Sequence, residues 1–158
     1  MAENNFSLRI ICPDRVFYEG EAHMLELNTM EGEVGIYKNH VPMTMIIAPG
    51  PMTITPGEGE KKLAALHAGF IEVLPDRITV MAEVAEWPDE IDVKRAEDAK
   101  DRAQRRIQEH KADVDIARAE AALSRALTRI YVAKEKVISP GDTRFRGDFF
   151  IPGGLLRG

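Results

Sequence analysis

The residues that could do chemistry are few, and their spacing supports little catalysis. Four histidines, His23, His40, His67 and His110, are scattered with no His-x-x-x-His pair, and Cys12 is the only cysteine. A cysteine zinc cage and an intrachain disulfide are therefore both excluded, and a histidine metal site has no ligand spacing behind it. There is no Walker-type phosphate loop and no nucleophile elbow. What the chain does carry is arginine at helical spacing. Arg125 and Arg129 stand at i, i+4 and share one helix face. Two planar guanidinium forks so placed suit carboxylate or phosphate oxygens. From Arg118 to Lys136 five basic residues stand against two acidic ones, a net +3, for which a solvated helix face is the ordinary explanation.

Those arginines fall in a stretch without glycine or proline, Glu90 to Ile138, dominated by alanine, arginine, glutamate and aspartate. That is helix composition. Asp92 suits an N-cap, since its carboxylate can accept first-turn N–H groups. Ala96, Ala99, Ala103 and Ile107 form one narrow seam, and Ile116, Ala119, Leu123, Ala126, Ile130 and Ala133 step by three and four residues in a second. The two seams, separated by His110 to Asp113, predict an antiparallel helical hairpin. Alanine buries little apolar area, at about 25 cal/mol per Å², so this hairpin is expected to unpack more cheaply than the rest of the chain.

Upstream, to about Glu86, short alternating or β-branched runs lie between turn residues, the pattern of a sandwich or barrel. Nine strands are expected: Phe6 to Cys12, Arg15 to Tyr18, Ala22 to Asn28, Val34 to Ile36, Met43 to Ala48, Met52 to Thr55, Lys62 to His67, Gly69 to Leu74 and Ile78 to Glu83. Turns are expected at Pro13-Asp14, Glu19-Gly20, Glu31-Gly32, Pro49-Gly50-Pro51, Pro56-Gly57 and Pro75-Asp76. The fold class read from the sequence is α+β, an N-terminal β-sandwich (1–86) followed by a C-terminal antiparallel two-helix hairpin (87–138). Residues 139–158 form a glycine-rich tail, readable as a natural extension, an expression remnant or a short partner-binding peptide.

The 158 residues suffice for one or two small domains with a buried core and exclude a large multi-domain enzyme. Charge is uneven: residues 1–86 carry 6 basic and 13 acidic groups, residues 87–138 carry 12 and 11, and the last 20 carry 3 and 2. An acidic first half argues against broad nucleic-acid binding, which needs a basic face. No apolar run approaches the ~20 residues of a membrane span and the N-terminus has no leader pattern, so membrane association is expected only through a partner. The lone cysteine fits a reducing compartment.

Three segments in one order carry a family resemblance. Thr29 to Met43, TMEGEVGIYKNHVPM, resembles the signature of the epsilon subunit of F-type, proton-translocating ATP synthases. His67 to Glu83, HAGFIEVLPDRITVMAE, resembles that family's Gly-Gly-Phe-x-Glu-Val strand pair, with Ala68 in place of the first glycine. Ile91 to Ile107 and Ala119 to Val132 resemble its two C-terminal helices. The resemblance covers roughly residues 5 to 138 and implies a non-catalytic rotor subunit of the central stalk. Such a subunit docks on the gamma subunit, sits on the membrane c-ring on the cytoplasmic side of a bacterial inner membrane, and couples ring rotation to ATP synthesis.

The resemblance also assigns roles. The acidic turn Glu31, Gly32 and Glu33, with His40 and Pro42 after it, is implied to face the c-ring and gamma; a solvated turn and a locally satisfied histidine are the plainer readings. Ile91, Asp92, Arg95 and Ala96 match an Ile/Leu-Asp-x-x-Arg-Ala motif that binds ATP in some bacterial members, with Arg125, Arg129 and Glu86 as further candidates for this regulatory ligand. The plainer reading is a capped helix start with solvated charges. Finally, Arg118, Arg125 and Arg129 are implied to enter the catalytic head of alpha and beta subunits when the last helix extends and to meet acidic segments of beta, restraining ATP hydrolysis. A different class of function, a free-standing nucleotide-binding module with a ligand-responsive hairpin, is the alternative.

Overall fold

Strict alternation builds the first strand and anchors the core. In the computed structural model, which describes residues 4–109 and 115–135, Phe6, Leu8, Ile10 and Cys12 point inward from β1 (Phe6–Cys12) while Ser7 and Arg9 face water. Nine further strands follow: β2 (Arg15–Ala22), β3 (Met24–Thr29), β4 (Gly32–Tyr37), β5 (Met43–Ile47), β6 (Gly50–Thr55), β7 (Lys62–Leu66), β8 (Gly69–Val73), β9 (Arg77–Ala82) and β10 (Ala85–Glu86). Their order is β10-β7-β6-β3-β5-β8-β9-β1-β2, with β4 also on β3. Among the described residues only the β1–β9 pair is parallel. β3 and β5 share the single pair Thr29–Ile47, which joins the two layers of the sandwich. Leu25, Leu27 and Ile54 from one side of that join and Leu8, Ile71 and Val80 from the other enter one buried cluster.

Two expected turns are strand instead. Glu19 and Gly20 lie inside β2, opposite Arg9 and Leu8, because the ladder with β1 absorbs its irregularity in a bulge between Ile10 and Ile11 rather than by breaking. Gly50 and Pro51 open β6 opposite Leu66 and Ala65. Proline is tolerated at the start of a strand, and glycine is required at 50 because a Cβ there would collide with the amide of the buried Asn28. The two-residue strand β10 has no counterpart among the nine expected strands.

The helices are α1 (Val93–Glu109) and α2 (Ile116–Lys134). Asp92 does cap α1, its Oδ1 accepting from the Arg95 N–H at 3.1 Å, and Asp115 caps α2 through the Arg118 N–H. Lys134 near the end of α2 approaches Glu97 near the start of α1 at 3.9 Å, so the helices run antiparallel. Along the seam Ala96, Ala103, Ala119, Leu123, Ala126 and Ala133 are buried, and Ala99, Ile107, Ile116 and Ile130 are half-buried. A second buried line, Ser124, Thr128 and Val132, runs along α2. The Thr128 hydroxyl survives burial by donating to the Ser124 carbonyl at 2.8 Å.

That helix is held on the sheet by little. Leu63 and Ala65 of β7 meet Ile91, Val132 and Ala133 in a small cluster separate from the sandwich core, with Val93 and Tyr131 at its edge. At roughly 1.5–3 kcal/mol per large buried aliphatic side chain, three such residues stabilise the docked hairpin far less than the sandwich core stabilises the sheet. The 139–158 tail and the turn expected at His110 to Asp113 lie outside the described residues, apart from Glu109 and Asp115 that flank the latter.

Candidate functional site

The start of α1 presents Arg95, Ala96, Ala99 and Arg102 at successive positions of one face. The two alanines leave room where larger side chains would fill it. Across that room stand Glu86 of β10, Glu90 and Asp92 before the helix, and Arg129 of α2, enclosing a cleft of about 320 Å³. This lies at the small end of the range usual for small-molecule sites.

Its charges are unequally committed. Glu86 Oε1 accepts from Arg129 Nε at 2.7 Å and from His67 Nε2 at 3.1 Å. Burial pushes this carboxyl up, but the hydrogen bonds from His67 and Arg129 outweigh it and hold Glu86 below the usual carboxylate range. Glu90 is gripped by both terminal nitrogens of Arg15, at 2.6 and 2.7 Å, which lowers its pKa and raises that of Arg15. The Glu90 carboxylate also accepts from the Trp87 N–H at 3.0 Å, and Trp87 stacks on Phe17 with ring centroids 4.2 Å apart. One oxygen of Asp92 is used in the helix cap. Among the described residues no ion pair engages Arg95 or Arg102. Chemically the cleft offers two uncommitted guanidinium groups for an anion, a third that an anion can win from Glu86, and carboxylate acceptors beside them.

The structure therefore gathers Glu86, Asp92, Arg95, Ala96 and Arg129 at one cleft. Ile91 and Arg125 do not line it. Ile91 is buried under α2 in the small cluster with Leu63 and Val132, and Arg125 lies close enough to His67 to act on its charge. Arg118 is exposed near the start of α2. Glu90 and Arg102 were missed from the sequence; the signal for Arg102 was its place seven residues after Arg95, on the same helix face. Among the described residues no cluster of three or more His, Cys, Asp or Glu side chains could hold a metal ion.

The other expected face is divided. Met30 N–H donates to the Ile46 carbonyl, placing the Glu31–Glu33 turn near the end of β5 where Ile47 pairs with Gly69. Asn39 N–H donates to the Pro75 carbonyl, placing the loop with His40 and Pro42 at the opposite end, where Met43 pairs with Val73. Glu31, Glu33 and Pro42 are exposed; Gly32 and His40 are half-buried, with His40 Nδ1 2.8 Å from the Val41 carbonyl oxygen. Beside the acidic turn an apolar row crosses five strands. Ile46 pairs with Phe70, Phe70 with Met81, Met81 with Ile11, and Ile11 with Val16. Ile46 is 64% exposed and Phe70 and Met81 each 44%, on the face that turns away from the core.

Comparison with known proteins places this architecture. Residues 5–88 match the model of the ATP synthase delta/epsilon chain β-sandwich domain, and residues 89–134 match that of its long α-helix domain. The ATP synthase epsilon chain of Shouchella clausii is 46% identical over 98 residues, 62% of this chain and 73% of that protein. That of Caldanaerobacter subterraneus subsp. tengcongensis is 38% identical over 110 residues, 70% of this chain and 80% of the relative. The fold is also that of a chain in the Euglena gracilis mitochondrial ATP synthase OSCP/F1/c-ring structure in rotational state 1, with a TM-score of 0.72, 21% identity and coverage of 82% and 81%. The chain thus belongs to the ATP synthase delta/epsilon chain family, as an epsilon-type, non-catalytic subunit of that complex.

Proposed function

We propose that this subunit works in the central stalk of an F-type ATP synthase as a rotor element with two separable parts. The sandwich, 1–86, docks on gamma and the c-ring. The hairpin, 87–138, restrains ATP hydrolysis when it leaves the sandwich, and ATP bound in the Arg95–Arg102 cleft holds it closed. The subunit would then be peripheral, on the cytoplasmic side of a bacterial inner membrane; no helix among the described residues is long and apolar enough to cross one. The bacterial relatives support that side.

The observation that carries the division is the unequal covering of the sheet. The outer face of β6 and β7 is covered by α2, whereas the outer face of β5, β8, β9 and β1 carries an open apolar row. An exposed row of this kind is the mark of an interface, and it continues into the acidic turn that the resemblance assigns to the ring. The closed hairpin also ties Arg129 to Glu86, so this arginine would reach acidic segments of beta only after α2 has moved. The free-standing nucleotide module has no comparable support, because the relatives and the fold match are ATP synthase chains.

Docking is tested by Phe70→Asp combined with Met81→Asp. Both side chains are surface groups, so the variant is expected to fold with native circular dichroism yet to lose co-purification with gamma and the c-ring. Retention of both partners by the folded double variant would contradict the assignment of this face.

A further inference from the structure

His67 follows β7 directly and is only 1% exposed. It is absent from the cleft, and neither docking nor ligand binding uses it. Its Nε2 lies 3.1 Å from Glu86 Oε1, the same oxygen that accepts from Arg129 at 2.7 Å. Glu86 is ionised and can only accept, so Nε2 carries the proton and the neutral ring leaves Nδ1 bare. Among the described residues that buried Nδ1 has no hydrogen-bond partner. The charged groups facing the ring are Glu86 from β10 and Arg125 and Arg129 from α2.

We infer that His67 is a proton-sensitive latch: neutral, it helps seat α2 on the sandwich through Glu86, and a proton on Nδ1 releases the helix. The reason is local. A second ring proton at Nδ1 would be a buried donor without an acceptor, and the positive ring would face two arginines. The attraction of Glu86 does not compensate, because that carboxylate is already neutralised by Arg129. Burial accordingly pushes the His67 pKa down, with the arginines adding to it and the Glu86 hydrogen bond opposing. Once α2 leaves, the imidazole reaches water and regains ordinary basicity.

The sign follows from linkage. A histidine depressed in the closed state stabilises that state above the free value of about 6.5 and progressively loses this contribution as pH falls below it. Glu86, also depressed, loses its contribution only as pH falls through the carboxylate range, below the window that matters here. With one proton coupled, the opening equilibrium of α2 is expected to rise as pH falls from 7.5 to 5.5, by at most about tenfold. Acid therefore acts on the hairpin in the same direction as loss of a ligand that holds it closed.

The latch rests on the hairpin being releasable, and the experiment separates the two claims. Amide hydrogen exchange of α2 in the full-length chain, corrected for intrinsic rates and referenced to β1 and β8, is measured from pH 7.5 to 5.5 without nucleotide. It is repeated with His67→Gln, which keeps a donor toward Glu86 but cannot titrate. Wild type is expected to show a clear rise in α2 opening, up to about tenfold, and the variant less than about a twofold change. If α2 opens only with global unfolding at every pH, the releasable hairpin fails and the latch with it; equal pH dependence in both proteins overturns the latch alone. Should His67→Gln not fold, proton NMR titration of wild type decides: a midpoint for the His67 ring below 6.5 supports the latch, and one at or above it overturns the latch.

Discussion

A chain stopped after Glu86 is expected to assemble into the complex and support ATP synthesis, while ATP hydrolysis rises at least about fivefold, the lower end of ordinary regulatory coupling. The packing explains why assembly should survive. The twenty-one buried residues of the sandwich core lie wholly within 6–85, and the small cluster beneath α2 is separate from them. Truncation uncovers Leu63 and Ala65 and removes Trp87 from the Phe17 ring, a modest apolar area in all, and leaves the Ile46–Phe70–Met81 row intact. Hydrolysis should rise because the basic α2 is gone. Membrane vesicles carrying the truncated chain, assayed for both reactions, check this; loss of assembly or unchanged hydrolysis contradicts the division of labour.

The second large effect concerns the cleft. Arg95→Ala and Arg102→Ala are each expected to weaken ATP binding to the isolated chain roughly tenfold to a hundredfold, since a charge-assisted hydrogen bond contributes about 1.5–3 kcal/mol and each 1.4 kcal/mol is tenfold. Arg105→Ala provides the control, because Arg105 is exposed and outside the cleft. Calorimetric titration distinguishes the outcomes. Equal affinity in all three variants, or no binding by wild type at millimolar ATP, would reduce Asp92 to a helix cap and the arginines to solvated charges.

Much of this geometry could be read from the chain. Alternation in β1 and the alanine seams are periodic signals strong enough to place strands and helices. Asp92 could be read as a cap from its position alone. Asp92, Arg95 and Ala96 of the cleft are named by the family's motif and Arg129 and Glu86 by the wider resemblance; spacing alone could not bring them together, since β10, α1 and α2 meet only in three dimensions. The buried line Ser124, Thr128 and Val132 stayed hidden because hydroxyl residues read as polar; the bond from Thr128 to the Ser124 carbonyl is what makes burial tolerable. The open row stayed hidden for the opposite reason. Ile46, Phe70 and Met81 sit in strands with apolar residues on both faces, a pattern that reads as complete burial until register shows which face is bare. Pro49-Gly50-Pro51 misled because turn chemistry and strand entry share residue types, and only the approach of Asn28 shows why glycine stands there.

The proposed rotor role requires this chain to be a stoichiometric part of the complex. The most direct measurement is affinity purification of the detergent-solubilised complex through a tag on this chain, followed by quantitative mass spectrometry of the recovered subunits. One copy of this chain is expected for each gamma, with the c-ring retained at physiological salt. Recovery of the chain alone, or with gamma far below equal amounts, would contradict it.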